Sequence, residues 1–305
     1  MKKISINASK KYEVLIERGL LKKSGELIKK VLPDAQKLLV VTDDTVKHLY
    51  GESKGSFISG LRDAGFEVYS FVFKDGENSK TPETLLKILE FSASPHVGLS
   101  RTDAIVALGG GVVGDMAGFA AASYLRGIPF VQVSTTLLAA ADSSVGGKTA
   151  VNLEAGKNLM GAFWQASLVL FDPDTLETLS ADTYADGIAE IAKCGFIMDY
   201  SIIEKLGGQS KYEVEEIVSA AIEVKKRLVE EDERDTGRRQ LLNFGHTVGH
   251  AREKPPRRTR QRIGVVFMKN PLATYRSFLD ISRGGWRHRR GTFVRGRRDI
   301  PWAAP

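Results

Sequence analysis

Through the first 175 residues, short apolar runs rich in β-branched side chains alternate with stretches whose apolar positions follow a helical period. The runs "KLLVVTDD", "FEVYSFVF" and "DAIVALGGG" read as strands, and "FISGLRDAG" and "TPETLLKILEFS" read as helices. That alternation predicts a parallel sheet with crossover helices. Thr81 is placed to cap a helix whose first turn holds Pro82 and Glu83, and Gly65 stands where the preceding helix should stop. From about Leu179 the period is helical. Val214, Ile217, Val218, Ala221, Val224 and Leu228 form one stripe, with Glu213, Glu216, Glu223, Lys226 and Arg227 on other faces, so an amphipathic helix should pack there on a core.

The strand "DAIVAL" ends in Gly109, Gly110 and Gly111, and an alanine-rich helix follows. Glycine lets the backbone approach a pyrophosphate closely, and a helix N-terminus offers free N–H groups to an anion. The spacing is not G-x-G-x-x-G, so these residues alone fit a tight turn equally well. Two further loops follow strands: "KDGENSKTPE" after "FEVYSFVF", and "STTLLAAADSSVGGKTAVNLEAGKNLMGAF" after "PFVQV". In an open parallel sheet all three gather at the carboxyl edge and can share one crevice. Asp75, Glu77 and Lys80 are compatible with a solvated turn, whereas Lys148 and Lys157, each behind a glycine and amid small residues, call for an anion.

"GIAEIAKCGF" sets Glu190 and Lys193 one helical turn apart. Such pairs are commonly surface ion pairs, but the apolar neighbours predict partial burial, where a carboxylate needs a cation. "NFGHTVGH" sets His246 and His250 at i,i+4, able to share a metal or to divide ligation from proton transfer. Thr247 and Val248 between them exclude the H-E-x-x-H pattern. Glu190 and His246 supply two ligands where an open catalytic zinc site takes three.

Charge is distributed unevenly. Residues 1–250 carry 29 Lys+Arg and 34 Asp+Glu, net −5, whereas residues 251–305 carry 15 and 3, net +12, with 13 of those 15 being Arg. The basicity therefore belongs to the tail, which has neither helical nor strand periodicity and is expected to be disordered. Cys194 is the only cysteine, so no internal disulfide forms. No apolar run long enough to span a membrane and no apolar stretch behind the N-terminal lysines occurs, which makes the cytoplasm the expected location.

In order along the chain, "DGENSK", "GGGVVGD", "STTLLAAADSSVGGKTAVN", "GKNLMGAF", "GIAEIAKCG" and "DERDTGRRQLLNFGHTVGHA" resemble the 3-dehydroquinate synthases of the sugar-phosphate cyclase family, from about residue 10 to residue 251. The resemblance implies an α/β plus α fold. A Rossmann-like, parallel-sheet NAD-binding domain would occupy residues 1–178, and an all-helical metal and substrate domain, incomplete here, residues 179–251, with the basic tail over 252–305. It implies a lyase of the shikimate pathway, toward chorismate and the aromatic amino acids. That enzyme converts DAHP to 3-dehydroquinate and phosphate with NAD and one divalent metal, zinc or cobalt, as a homodimer without membrane or nucleic-acid partners. By the same resemblance, Asp75, Gly76, Glu77, Asn78, Ser79, Lys80, Gly111, Val112, Val113, Gly114, Asp115, Thr135, Thr136, Lys148, Lys157, Thr175, Leu176, Glu177 and Thr178 surround NAD. Glu190 and His246 would hold the metal. Lys148, Asn158 and His250 would handle the phosphate, Lys225 and Arg239 the carboxylate, and Lys193, Asp142 and Asn243 the hydroxyls, while Arg126 would cross a dimer interface. Cationic side chains suit a substrate bearing both phosphate and carboxylate.

The chain departs from the family pattern after Ala251. A His-Gly-Glu box with the third metal ligand is expected near positions 259–264, where this chain reads "TRQRIG", and Thr183 stands where the family usually has Glu. A shift of reading frame near Arg252 would explain the arginine usage, the lost periodicity and the lost pattern together, and would leave the chain inactive. Two alternatives stay open. Another sugar-phosphate cyclase or a metal-dependent alcohol dehydrogenase would need no carboxylate-binding pair such as Lys225 and Arg239. A non-catalytic protein using a recombined basic tail would bind DNA in a salt-dependent way.

Overall fold

The computed structural model describes residues 1–51, 57–207 and 213–244. His246, His250 and the tail lie outside the described residues. The strands are β1 (Lys2–Asn7), β2 (Lys11–Ile16), β3 (Lys37–Asp43), β4 (Glu67–Phe73), β5 (Ala104–Gly109), β6 (Phe130–Ser134), β7 (Lys148–Leu153), β8 (Gly156–Phe163) and β9 (Leu168–Phe171). The helices are α1 (Ser24–Val31), α2 (Asp44–Tyr50), α3 (Phe57–Asp63), α4 (Pro82–Ala93), α5 (Gly111–Ser123), α6 (Ala181–Ile197), α7 (Ser201–Gly207) and α8 (Val214–Glu231).

Seven strands form a sheet in the order β1-β2-β9-β6-β5-β3-β4, parallel throughout except for β1 against β2. Its parallel strands are apolar at consecutive positions because both faces are covered. Leu38 and Val40 of β3 join one core with Ile28, Phe57 and Leu61, whereas Leu39 and Val41 point into the other, with Ile88, Val113 and Met116. Thr81 caps α4 by accepting from the Thr84 N–H at 3.3 Å, and Gly65 turns with φ 87°.

The second core continues without a break into α6 and α8, through Ile188, Ile191, Ile217, Val218 and Ala221. The sequence stripe on α8 lies inward as expected, and Ile222, Lys225 and Val229 widen it. β7 and β8 form a separate antiparallel hairpin against α5. Gly118 permits that contact, since a Cβ there would stand 2.4 Å from Thr149 Cγ2. Gly118→Ala should destabilise the protein by about 1–3 kcal/mol through overpacking, measured by urea unfolding.

Candidate active site

β3 pairs with β4 on one side and β5 on the other, so the chain reverses direction of growth between β3 and β5. Ligands of open α/β sheets bind outside the carboxyl ends of the strands at such a point. The glycine turn is there. Gly110 precedes α5 in extended conformation with no side chain capping the helix, which leaves first-turn N–H groups for an anion. Space is tight on its inner side: a Cβ on Gly110 would lie 3.1 Å from Thr136 Cγ2, and one on Gly111 3.3 Å from Ser143 Oγ. The Thr135 N–H donates to Gly109 O at 3.1 Å, joining the loop after β6 to the turn.

The loop after β4 is tied to the same place by Lys80. Lys80 is 4% exposed, and its ammonium donates to Asp115 Oδ2 and Asn158 Oδ1, both at 2.5 Å, so the "DGENSK" loop, α5 and the hairpin meet on one nitrogen. Glu77 accepts from Asn152 Nδ2 at 2.8 Å, and the Asn152 N–H donates to Lys80 O at 2.9 Å. Burial pushes the Asp115 carboxyl above its ordinary range, although Lys80 opposes the shift. At the other side, Tyr50 donates to Thr175 O at 3.1 Å and bonds Thr178 Oγ1 at 2.7 Å, linking α2 to the 3-10 turn Pro173–Thr178 that holds Leu176 and Glu177.

Asp43, which caps α2 by accepting from the Val46 N–H at 2.7 Å, and Asp44 stand at the end of β3 beside the loop after β4, and neither is among the residues singled out from the sequence. Asp44 accepts from the Asp75 N–H at 2.8 Å, and burial raises the Asp43 carboxyl. The signal was present: an acidic pair terminates an apolar parallel strand.

The second group lies where α6 and α8 pack on the π-helical turn Ala139–Ser143. Lys225, on the buried face of α8, donates to the Asp142 main-chain O at 2.5 Å and to Oδ1 at 2.6 Å. Burial lowers the Lys225 pKa against the attraction of Asp142. Lys193 of α6 is paired with Glu190; burial alone would lower its pKa, but Asp142 and Glu190 outweigh burial and hold it protonated. The predicted partial burial of this pair is therefore observed.

Other implied residues are placed differently. Arg239 is 1% exposed, its guanidinium donating to Glu233 O at 2.6 Å and Gly146 O at 3.0 Å. Lys148 is half exposed and paired with Asp235. Lys157 and Asn243 are exposed, and Arg126 is exposed in a turn where Leu125, Arg126 and Gly127 all have positive φ. Thr183 donates its N–H to Ser180 Oγ at 3.2 Å, within the cap of α6. Among the described residues no three His, Cys, Asp or Glu side chains group to hold a metal, and Glu190 is the one implied ligand they contain. No helix among them is long and apolar enough to cross a membrane.

The family described as "3-dehydroquinate synthase N-terminal" matches residues 70–186, and "3-dehydroquinate synthase C-terminal" matches residues 187–261. The 3-dehydroquinate synthase of Streptococcus mutans is 45% identical over 258 residues, 82% of this chain and 71% of that protein. This chain belongs to the 3-dehydroquinate synthase family. The synthase of Clostridium acetobutylicum is 44% identical over 248 residues, 80% of this chain and 68% of that one. The family's fold extends to solved cyclases. The 2-epi-5-epi-valiolone synthase of Streptomyces hygroscopicus, with NAD+ and Zn2+ bound, superposes with a TM-score of 0.75 at 26% identity over 92% of this chain and 82% of that chain. A 2-deoxy-scyllo-inosose synthase complexed with carbaglucose-6-phosphate, NAD+ and Co2+ gives 0.74 at 25% identity, over 93% and 80%. The fold is α/β plus α, a Rossmann-like sheet followed by helices.

Proposed function

We propose that this chain is a cytoplasmic 3-dehydroquinate synthase converting DAHP to 3-dehydroquinate and phosphate with NAD and one divalent metal, zinc or cobalt. The observation that carries the reading is the convergence of the glycine turn, the "DGENSK" loop and the hairpin on Lys80, beside the Asp142, Lys225, Lys193 and Glu190 group. When bound, NAD supplies a hydride acceptor and the metal a Lewis acid for substrate hydroxyls. The uncapped amides of α5 and the tight approach of Gly110 and Gly111 fit a pyrophosphate. Glu190 would hold the metal with His246, with Lys193 paired to the same carboxylate. Lys225 fixes Asp142, which would orient a hydroxyl together with Asn243. Lys148, Asn158 and His250 would take the phosphate and Lys225 and Arg239 the carboxylate. The division falls near residue 178. Arg126 and the 41% exposed Leu125 would meet a second copy in a homodimer.

The test is phosphate release from DAHP with NAD and zinc or cobalt. It compares this chain with one whose residues after Ala251 are replaced by those of the Streptococcus mutans enzyme. Turnover should appear in the replaced chain and be lost or strongly reduced in this one, whose tail carries no His-Gly-Glu box; no turnover in either defeats the reading.

Cofactor binding can be measured without turnover. Gly111→Val should lower NAD affinity at least about tenfold, equivalent to ~1.4 kcal/mol, with the sheet intact by circular dichroism. Unchanged affinity in a folded variant would remove the glycine turn from the cofactor site.

A further inference from the structure

Gln132 stands in the middle of β6, only 3% exposed, and its Nε2 has no hydrogen-bond partner among the described residues. The hydroxyls of Ser143 and Ser144, the latter 6% exposed, share that condition. All three side chains line one small cavity between β6, α5 and the start of β7, with Gly114 and Thr149 also in its wall. The Thr149 hydroxyl already donates to Ala162 O at 2.9 Å, and Lys148, which also lines the cavity, has its ammonium on Asp235. The remaining polar atoms are thus one amide donor and two hydroxyls, each able to donate and accept. Gly114 leaves the amide its place, because a Cβ there would lie 2.3 Å from Gln132 Nε2.

Buried amides and hydroxyls are satisfied by protein or by ordered water in native structures, and dry cavities are lined by carbon. Three unsatisfied groups around one hollow therefore specify an occupant. The cavity has room for about one water and no more, and its lining offers no unpaired charge to an ion. We propose that it binds a single long-lived water molecule, which accepts from Gln132 Nε2 and bonds the hydroxyls of Ser143 and Ser144. That water is a joint. It connects the central strand β6 to the segment directly after Asp142, so the position of Asp142 is set from the sheet side as well as by Lys225. The water's presence does not depend on the activity proposed above.

The sign of a stability change tests it. Replacing a polar group that is truly unpartnered by an apolar group of similar shape stabilises a protein, whereas removing a partner of a bound water destabilises it. In the full-length protein, Gln132→Met should lower the melting temperature by roughly 2–4 °C. Oxygen-17 magnetic relaxation dispersion should count one fewer long-lived internal water than in the unsubstituted protein. Ser144→Ala introduces no bulk and should lower the melting temperature in the same direction, which keeps the test open if Gln132→Met does not fold. A rise in melting temperature in either variant, or an unchanged water count in folded Gln132→Met, overturns the proposal.

Discussion

Lys80→Met should destabilise the protein by about 3–5 kcal/mol, the range for breaking a buried ion pair from one side. Lys80 is the cation beside Asp115, and methionine would leave that carboxylate buried against a hydrocarbon, with Asn158 deprived of its donor as well. The loss depends on pH in a definite direction. Asp115 already titrates above the ordinary aspartate value because burial outweighs the attraction of Lys80. A carboxyl whose folded pKa is raised takes up a proton on folding, so its destabilising effect is absent below the unfolded value of about 3.9 and grows as pH rises through the folded one. Without Lys80 the folded value climbs further and the window widens upward. Urea unfolding at pH 8 and pH 5 should therefore show a smaller penalty at pH 5. Equal penalties at both would mean that Asp115 is not the group left stranded.

The second large effect concerns Asp142. Asp142→Ala should cost about 3 kcal/mol, the lower end for a broken buried pair, because Lys225 keeps the main-chain O of residue 142 as an acceptor. The double variant Asp142→Ala, Lys225→Met should recover much of that loss, since it removes the ammonium that would otherwise be left buried without its carboxylate, while Lys193 keeps Glu190. A thermodynamic cycle over the two single variants and the double variant should give a coupling well outside additivity. Additive losses would show that the two side chains are stabilised by separate surroundings, and the site would then lack the rigid carboxylate assigned to it.

The elements that position the site were legible where local pattern and tertiary context agree. β3, β4 and β5 read as strands because residues such as Leu38 and Leu39 are both covered, one on each face, which makes the run continuously apolar. The glycine turn and the Glu190 and Lys193 pair each fitted two surroundings by residue type alone, and their apolar neighbours, the strand before the glycines and the flanks of the pair, tipped the reading. Three things were hidden. The β1–β2 hairpin joins β9 across more than a hundred residues, and no local signal names a partner so distant. The pairing of the hairpin that carries Lys148 and Asn158 was another, since no residue of β8 is fully buried and its pattern lacks a clear inner face. The inward turn of Arg239 toward Gly146 depends on the left-handed Gly146, at φ 96°, where a Cβ would strike the guanidinium at 2.3 Å. A spacing rule cannot register that.

The core shared by the sheet and α6 limits how this protein could be cut or recombined. Gly187 of α6 sits so close to the segment after β6 that a Cβ would lie 2.6 Å from Leu137 Cβ, and Leu137, Ala140 and Ala141 are buried in the same apolar mass as Ile188 and Ala221. A fragment ending near residue 178 would carry those side chains naked into water, and a helical half grafted from another cyclase would meet a surface shaped for this α6. The sheet half is therefore not a portable module: part of its apolar cover comes from the helices, and exchange between relatives must carry the sheet face and the helices together.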